Sequence, residues 1–562
     1  MNKLIKFFEN SKYIYLTIFI CLLVAHLPSI TNDFLRQDDW NATFWSRGGF
    51  FFLPWGHPEW WNAFAELFRP VGAIILMISD GISVKIENAK FVKFFTVILM
   101  SVSAFLTFKW IIKFDPSKKI FALSFSILAF CLFASQLHSS TVGYNGMVIT
   151  LICGQLGIMY FYKAIFESKK YIEKKRLLFI SGMFILLGCL NYPLTVTYYF
   201  LLLFIFYILN IEKLKGESKK IYIFIFQAVV FMLIIMLIFF ISAKLFHMLL
   251  DIQPRMHGGY IRTIHVDLDI KNKIYNLINM IKYSTNTFNL WSSAGISNIS
   301  YFYSVFFSFF SLFVLSIFLK FYSICDHKGV KIFKYLLLNT FIVIGITGIL
   351  LTLTYLPVLP LHVRIVDDNP FLTIMTHRYF AITMPFIMFI MMWSLSNFQM
   401  IKFFLFKNNF LVNIFFIFIL FFGIYQCNFS LKNYIVSPHM AEINHIKYFI
   451  EKDVIKKIQK GVKPKILIVR NPSIRGKYHN NDYDLSINFS HNFLVSAAIY
   501  TLRQYDVWTI KSHRVLTWDN INGIHIISDW GTLASVSDRS TFDIYGQQDT
   551  IVIDMNDIKT KY

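Results

Sequence analysis

The sequence predicts an all-α polytopic membrane protein, with about eleven transmembrane helices plus a juxtamembrane helix, followed by a small C-terminal α/β domain. Three observations predict it. Of 562 residues, 56% are hydrophobic and only 15% are charged, which is a membrane composition. Apolar runs of about 20 residues recur, the length needed to cross the hydrocarbon. Beyond residue 428 these runs stop, and short strand-like and helix-like patterns replace them.

Lys3, Lys6 and Lys12 precede the first run, 13–30, and place the N-terminus on the cytoplasmic side. No small-residue cleavage site follows, so this run reads as a retained span. Further spans are expected near 91–112, 120–137, 144–162, 177–191, 194–211, 221–246, 301–320, 335–356, 379–396 and 409–427. Lysine-rich connections at 163–176, 212–220 and 328–334 belong inside, whereas 138–143 and 191–193 lack Lys and Arg and belong outside. That parity leaves no room for 71–84 to cross, so it is expected to lie at the interface or re-enter. The outer loops are then about 31–90, 247–300 and 357–378. Residues 1–430 form the membrane domain and 431–562 the outer tail. Within the tail, 438–460 has helical spacing and ends in Lys460-Gly461, 465–469 and 524–527 read as buried strands, and 493–505 reads as a helix.

The formal charge of +22 arises largely from lysines in short loops. That is the positive-inside pattern and calls for no nucleic-acid partner. The six cysteines (21, 131, 153, 189, 325 and 427) lie in or beside apolar runs without ligand spacing. Neither a disulfide framework nor a zinc site is expected.

The chemistry points to 32–70. Asp38 and Asp39 follow directly on the first span, in a loop carrying Trp40, Trp45, Trp55, Trp60 and Trp61 and ending in Glu66-Leu67-Phe68-Arg69-Pro70. Tryptophan favours the headgroup level, so the loop is expected to lie along the membrane surface. A carboxylate there stays ionised and can serve as a general base; the bland alternative is an ordinary acidic turn. Before residue 430 there are eight arginines, and all except Arg176 fall in the outer loops or at their edges: Arg36, Arg47, Arg69, Arg255, Arg262, Arg364 and Arg378. A planar guanidinium grips phosphate bidentately; the alternative is that longer loops simply carry more solvated charge. Polar chemistry thus gathers at one surface, unlike the mid-membrane ionisable groups of ion-coupled transporters. His257, His265, His362 and His377 match no ligand template. No Gly-rich phosphate loop and no nucleophile motif is present.

Asp38-Asp39 after the first span, Arg69-Pro70 leading into a short apolar helix, His377-Arg378-Tyr379-Phe380 entering a late span, and the helix-like exit 428–448 together resemble the GT-C class of integral-membrane glycosyltransferases. Within that class the chain most resembles the bacterial O-antigen-modifying, serotype-converting glucosyltransferases, in order and spacing over most of its length. The resemblance implies a multi-pass protein of the bacterial inner membrane with its tail in the periplasm. It implies an inverting transferase that moves a sugar, glucose by family, from a polyprenyl-phosphate carrier to a hydroxyl of O-antigen or a related lipid-linked surface glycan. A donor synthase and a flippase would be further partners, beside the membrane lipids. By the family's order Asp38 is the base, with Asp39 orienting the loop and Glu66 holding the loop or contacting the sugar. Arg36, Arg69, Arg255, Arg262, Arg364 and Arg378 are the candidates to hold the lipid phosphate. Related enzymes often carry an arginine two or three residues after the acidic pair, where this chain has Asn41 and Ala42, so Arg36 or Arg47 would have to substitute. No metal ligand set is expected, although a divalent cation is compatible with this chemistry. The alternatives are a lipid-linked glycan flippase or polysaccharide export protein, and an O-antigen polymerase.

Overall fold

The structure, a computed structural model, describes residues 11–33, 68–83, 86–251, 256–257, 260–261, 271, 299–324, 330–355, 376–397, 409–462, 464–470, 498, 501–502, 509–511, 524–530 and 550–555. Its helices in chain order are α1 (Ser11–Thr31), α2 (Pro70–Ile82), α3 (Ile86–Phe114), α4 (Lys119–Leu128), α5 (Phe133–Ser140), α6 (Asn145–Tyr162), α7 (Tyr171–Asn191), α8 (Tyr198–Leu209), α9 (Leu214–Leu249), α10 (Ile299–Ile324), α11 (Val330–Leu353), α12 (Thr376–Asn397), α13 (Asn409–Ser430), α14 (Ser437–Phe449) and α15 (Ile455–Gln459). Among the described residues six helices are long and apolar enough to cross a membrane: Ser11–Thr31, Glu87–Phe114, Asn145–Glu167, Glu217–Leu249, Lys334–Leu353 and Val412–Asn433. The molecule is a helical membrane protein.

The helices pack through small residues and neutral polar clamps, as expected where lipid removes the usual hydrophobic drive between helices. Gly154 of α6 lies so near residues 195–197 that a Cβ there would sit 2.4 Å from the Val196 carbonyl oxygen. Gln155 bridges α6 to α3: its amide nitrogen donates to the Ser103 carbonyl at 3.0 Å and to the Thr107 hydroxyl at 2.9 Å, while Ser103 donates to its amide oxygen at 2.9 Å. Trp110 donates to the Leu202 carbonyl at 2.8 Å. Each polar group is satisfied between helices, where water is absent.

One expected span, 120–137, is two helices. Between α4 and α5 the chain opens at 129–132, and Leu132 adopts an extended conformation. The carbonyls this frees are taken by side chains. His26 of α1 donates from Nε2 to Phe130 at 2.8 Å, Gln136 donates to Cys131 at 3.1 Å, and Ser135 to Ala129 at 3.4 Å. Irregular backbone at membrane depth is tolerated only when buried and satisfied in this way. The periodicity of an apolar run carries no sign of such an interruption.

The helix ends define two poles. At one, α1 and α7 end, α3 and α6 begin, and α13 passes through a π-helical stretch, Leu431–Val436, into α14. Asn428 donates to the Val24 carbonyl at 2.7 Å, holding α13 against α1 there. We call this the tail pole. At the far pole, Lys118 donates to Ser396 and Asn397 at 3.1 and 3.2 Å, joining the α3–α4 turn to the end of α12.

Past α14 and α15 the chain turns at Gly461, whose φ of +79° suits a residue without Cβ, and enters β3 (Lys465–Arg470). With β4 (Thr509–Lys511), β5 (Ile524–Trp530) and β6 (Thr550–Asp554) it forms an all-parallel sheet of order β4-β5-β3-β6. Ile466 and Ile468 join Ile526, Ile551 and Ile553 in a core against Ile446, Ile450 and Val454 of the tail helices, while Leu467 and Val469 are buried with Val552 in a separate cluster. Burial on both faces explains why β3 reads as an unbroken apolar run. Of the expected helix 493–505, residues 498, 501 and 502 are described and are helical.

Candidate functional site

Local backbone geometry at 68–70 sends two neighbouring side chains in different directions. Phe68 has a φ of +48°, a left-handed conformation unfavourable for a residue with a bulky side chain and worth about 1–3 kcal/mol of strain. Its ring packs 5.9 Å from Phe239 and 5.0 Å from Phe246 of α9. Arg69 follows at a φ of −123°, and Pro70 starts α2, where proline's fixed φ and missing N–H cost nothing. The Arg69 guanidinium then lies over the Tyr192 ring, 4.4 Å from its centroid.

Tyr192 is placed by sequence as well. It caps α7, and Pro193 behind it bars the helical conformation; the observed φ and ψ are −153° and 89°. The ring is 6% exposed. A guanidinium stacked on an aromatic gains about 0.5–2 kcal/mol, depending on how far it is desolvated. Stacking engages the face of the guanidinium, and its N–H groups lie in the plane from which a phosphate or carboxylate is gripped. The N-terminus of α2 adds its dipole to the same positive field.

This pair stands on a layer of neutral polar contacts. Asn191 donates to the Gly146 carbonyl at 2.7 Å, and Asn145 donates to the Ser79 hydroxyl of α2 at 2.7 Å. Gly72 meets the layer directly, since a Cβ there would lie 2.7 Å from the Asn191 carbonyl oxygen. The helix that carries Arg69 is therefore keyed to the ends of α6 and α7. Farther along, His26 keeps its proton on Nε2 for the Phe130 carbonyl, so in the neutral ring Nδ1 accepts from the Ser139 hydroxyl at 2.7 Å. That bond ties α1, and the start of the loop behind it, to α5.

Of the residues singled out from sequence, Arg69 is placed in full. Arg378 is the third residue of α12, whose opposite end meets Lys118 at the far pole, so the backbone of Arg378 belongs to the tail pole. Two short antiparallel strands, β1 (Met256–His257) and β2 (Tyr260–Ile261), follow α9; Arg255 and Arg262 flank them and lie outside the described residues. Asp38, Asp39, Glu66, Arg36, Arg47 and Arg364 lie outside them too. The 191–193 turn is legible in the sequence as an outward one, but nothing local marks Tyr192 as the seat of a cation. Sequence reasoning overlooked Asn145 and Ser79, whose types are too common to stand out. It also overlooked Lys93, which is fully buried near the start of α3; a lysine that deep in an apolar run is the sort of signal that finds functional groups. Among the described residues no three His, Cys, Asp or Glu side chains gather as metal ligands. Comparison with protein-family models, curated proteins and solved structures finds no match.

Proposed function

We propose that the chain is an inverting, polyprenyl-phosphate-sugar-dependent glycosyltransferase of the bacterial inner membrane, with about eleven spans and the α/β tail in the periplasm. The observation that carries this reading is Arg69 held over Tyr192 at the start of α2, on the pole where the neutral polar layer gathers. The resemblance of the Asp38-Asp39 and Arg69-Pro70 stretches to GT-C enzymes supplies the rest. Asp38 follows the end of α1 by seven residues, and this reading assigns the acids to the pole of Arg69.

In this mechanism the Asp38 carboxylate takes the proton of an acceptor hydroxyl. The oxygen attacks the anomeric carbon from the face opposite the phosphate, the C1–O bond breaks, and polyprenyl phosphate leaves with the bonding pair. Negative charge builds on the phosphate oxygens, and Arg69 stabilises it, aided by Arg378 and the other arginines of the outer loops. A donor fixed in position beforehand is effective because it need not reorganise during the reaction. Glucose is the sugar and O-antigen the acceptor by resemblance.

The test is transfer by the purified protein in detergent, supplied with polyprenyl-phosphate-glucose and a short O-antigen acceptor. Wild type is expected to transfer, and Asp38→Asn to lose nearly all transfer while inserting normally in the membrane. Failure of wild type with a range of lipid-phosphate sugars, together with movement of labelled lipid across liposomes, would decide for a flippase instead.

A further inference from the structure

We infer that the far-pole end of α7, around Arg176, is a binding site for an anionic phospholipid of the bilayer. The site lies apart from the arginines assigned to sugar transfer and does not depend on that reading.

The sequence marks the place. Arg176 is the one arginine before residue 430 that falls outside the outer loops. It closes a stretch of six cations, Lys163, Lys169, Lys170, Lys174, Lys175 and Arg176, which holds two carboxylates, Glu167 and Glu173. Both carboxylates are engaged elsewhere. Glu167 pairs with Lys113 at the end of α3, and Glu173 accepts the Ser168 hydroxyl at 3.3 Å. Among the described residues none of the six cations pairs with a carboxylate, and all except Lys174 are exposed. By contrast Lys118, Lys220 and Lys320, at the same pole, each lie beside a carboxylate.

The stretch sits where a helix pair leaves the hydrocarbon. α6 and α7 run antiparallel, held where the Ser181 hydroxyl donates to the Gly157 carbonyl at 2.7 Å and Tyr160 stacks on Phe184 at 5.6 Å. α7 also packs on the membrane-length α9, where Gly182 comes close to Phe231 and Ile235. Arg176 precedes Ser181 by five residues and Lys163 follows Gly157 by six, so both lie about 8 Å from that contact toward the far pole. Charge then gives way to hydrocarbon along one face of α7. Ile172, Arg176, Phe179, Met183 and Leu187 are all exposed and recur at spacings of four, three, four and four residues, the repeat of a single helix face. From Arg176 to Leu187 this stripe is about 16 Å long, roughly the depth of one leaflet. Beside it the Lys175 ammonium lies 4.5 Å from the centroid of the exposed Tyr171 ring, an aromatic suited to the headgroup level.

This arrangement matches a phospholipid from head to tail. The Arg176 guanidinium can grip two oxygens of a phosphodiester in one plane. The lysines around it supply charge that an anionic headgroup uses and a zwitterionic one does not; basic clusters of this size beside a span attract anionic lipid. The apolar stripe below selects against a soluble anion, because free phosphate has no use for Phe179, Met183 or Leu187. A lipid chain does.

The experiment titrates full-length protein in detergent with phosphatidylglycerol and with phosphatidylcholine, and reads bound lipid by native mass spectrometry. Wild type is expected to take up phosphatidylglycerol in preference. Arg176→Gln is expected to weaken that binding about fivefold, the worth of one cation at an anionic surface. The double variant Lys169→Gln/Lys170→Gln should weaken it further. Lys334→Gln removes an exposed lysine from the far-pole end of α11 and should bind as wild type does. If Arg176→Gln melts early without lipid, the double variant decides. Equal uptake of the two lipids by wild type, or equal losses in Lys334→Gln and Arg176→Gln, would overturn the assignment. So would displacement of the lipid by an equal concentration of inorganic phosphate.

Discussion

The two poles of the membrane domain are built from different chemistry. At the far pole, lysines meet carboxylates: Lys113 pairs with Glu167, Lys320 with Glu212, and Lys118 lies 3.9 Å from Asp115. These contacts join the ends of α3, α10 and α12 to their neighbours. At the tail pole, Asn191 and His26 satisfy backbone carbonyls, Asn145 bonds the Ser79 hydroxyl, and an arginine is laid on an aromatic ring. The far pole is a closure. At the tail pole a layer of uncharged side chains keys α2, and with it Arg69, to the ends of α6 and α7; in the proposed transferase that layer fixes the aim of a cation toward an incoming anion.

That contrast breaks most sharply at Gly72. In Gly72→Val the added carbons collide with the Asn191 backbone, and α2 must shift with Arg69 at its start. Overpacking of this kind costs about 1–3 kcal/mol in stability. The larger expected effect is on transfer, about 100-fold, because displacement by about 1 Å is enough for that. Assays of the folded fraction would show it. A variant with normal transfer would mean that α2 is not the part that positions Arg69.

A smaller effect is expected from Tyr192. Tyr192→Leu removes the ring beneath the guanidinium and should lower transfer about 2- to 30-fold, the range of a cation–π contact. Tyr192→Phe should retain most of the activity. Equal losses in both would point to the hydroxyl rather than the ring face.

The far pole should answer to pH instead. Burial chiefly, together with nearby Lys320, pulls the Lys118 ammonium down to about 8, against the opposing pull of Asp115 and Glu212. In the unfolded chain a lysine titrates near 10.4. Between those values the unfolded state holds more protons, so stability rises with pH across the window from about 8 to 10.4 and this contribution is flat below it. Thermal unfolding in detergent should show that rise in wild type, with less of it in Lys118→Met. Transfer assayed at neutral pH gives no such signal.

Much of the architecture was open to reading from composition. Long apolar runs announce helices, Pro70 after Arg69 announces the start of α2, and the run at 465–469 announces a strand buried on both faces. The interruption at 129–132 was not readable, because it depends on His26, Gln136 and Ser135 arriving from elsewhere in space to take the carbonyls. The same holds for the site. An arginine before a proline is visible in a sequence, but its seat on Tyr192, 123 residues away, arises only when α2 meets the end of α7. Asn191 and Gly72 carry no local signature of the contact they make. Keyed contacts between helix ends are long-range facts, whereas periodicity is a local one.

The central claim is that Arg69, aimed by Tyr192, stabilises the phosphate as the sugar departs. The most direct measurement is single-turnover transfer at saturating polyprenyl-phosphate-glucose, comparing wild type with Arg69→Lys. Lysine keeps the charge and loses the planar fork. A drop of about 10²–10³-fold in the transfer step, with donor affinity little changed, is the expected result. Transfer by Arg69→Lys at the wild-type rate would contradict the claim, and would leave Arg69 as a support for α2 and nothing more.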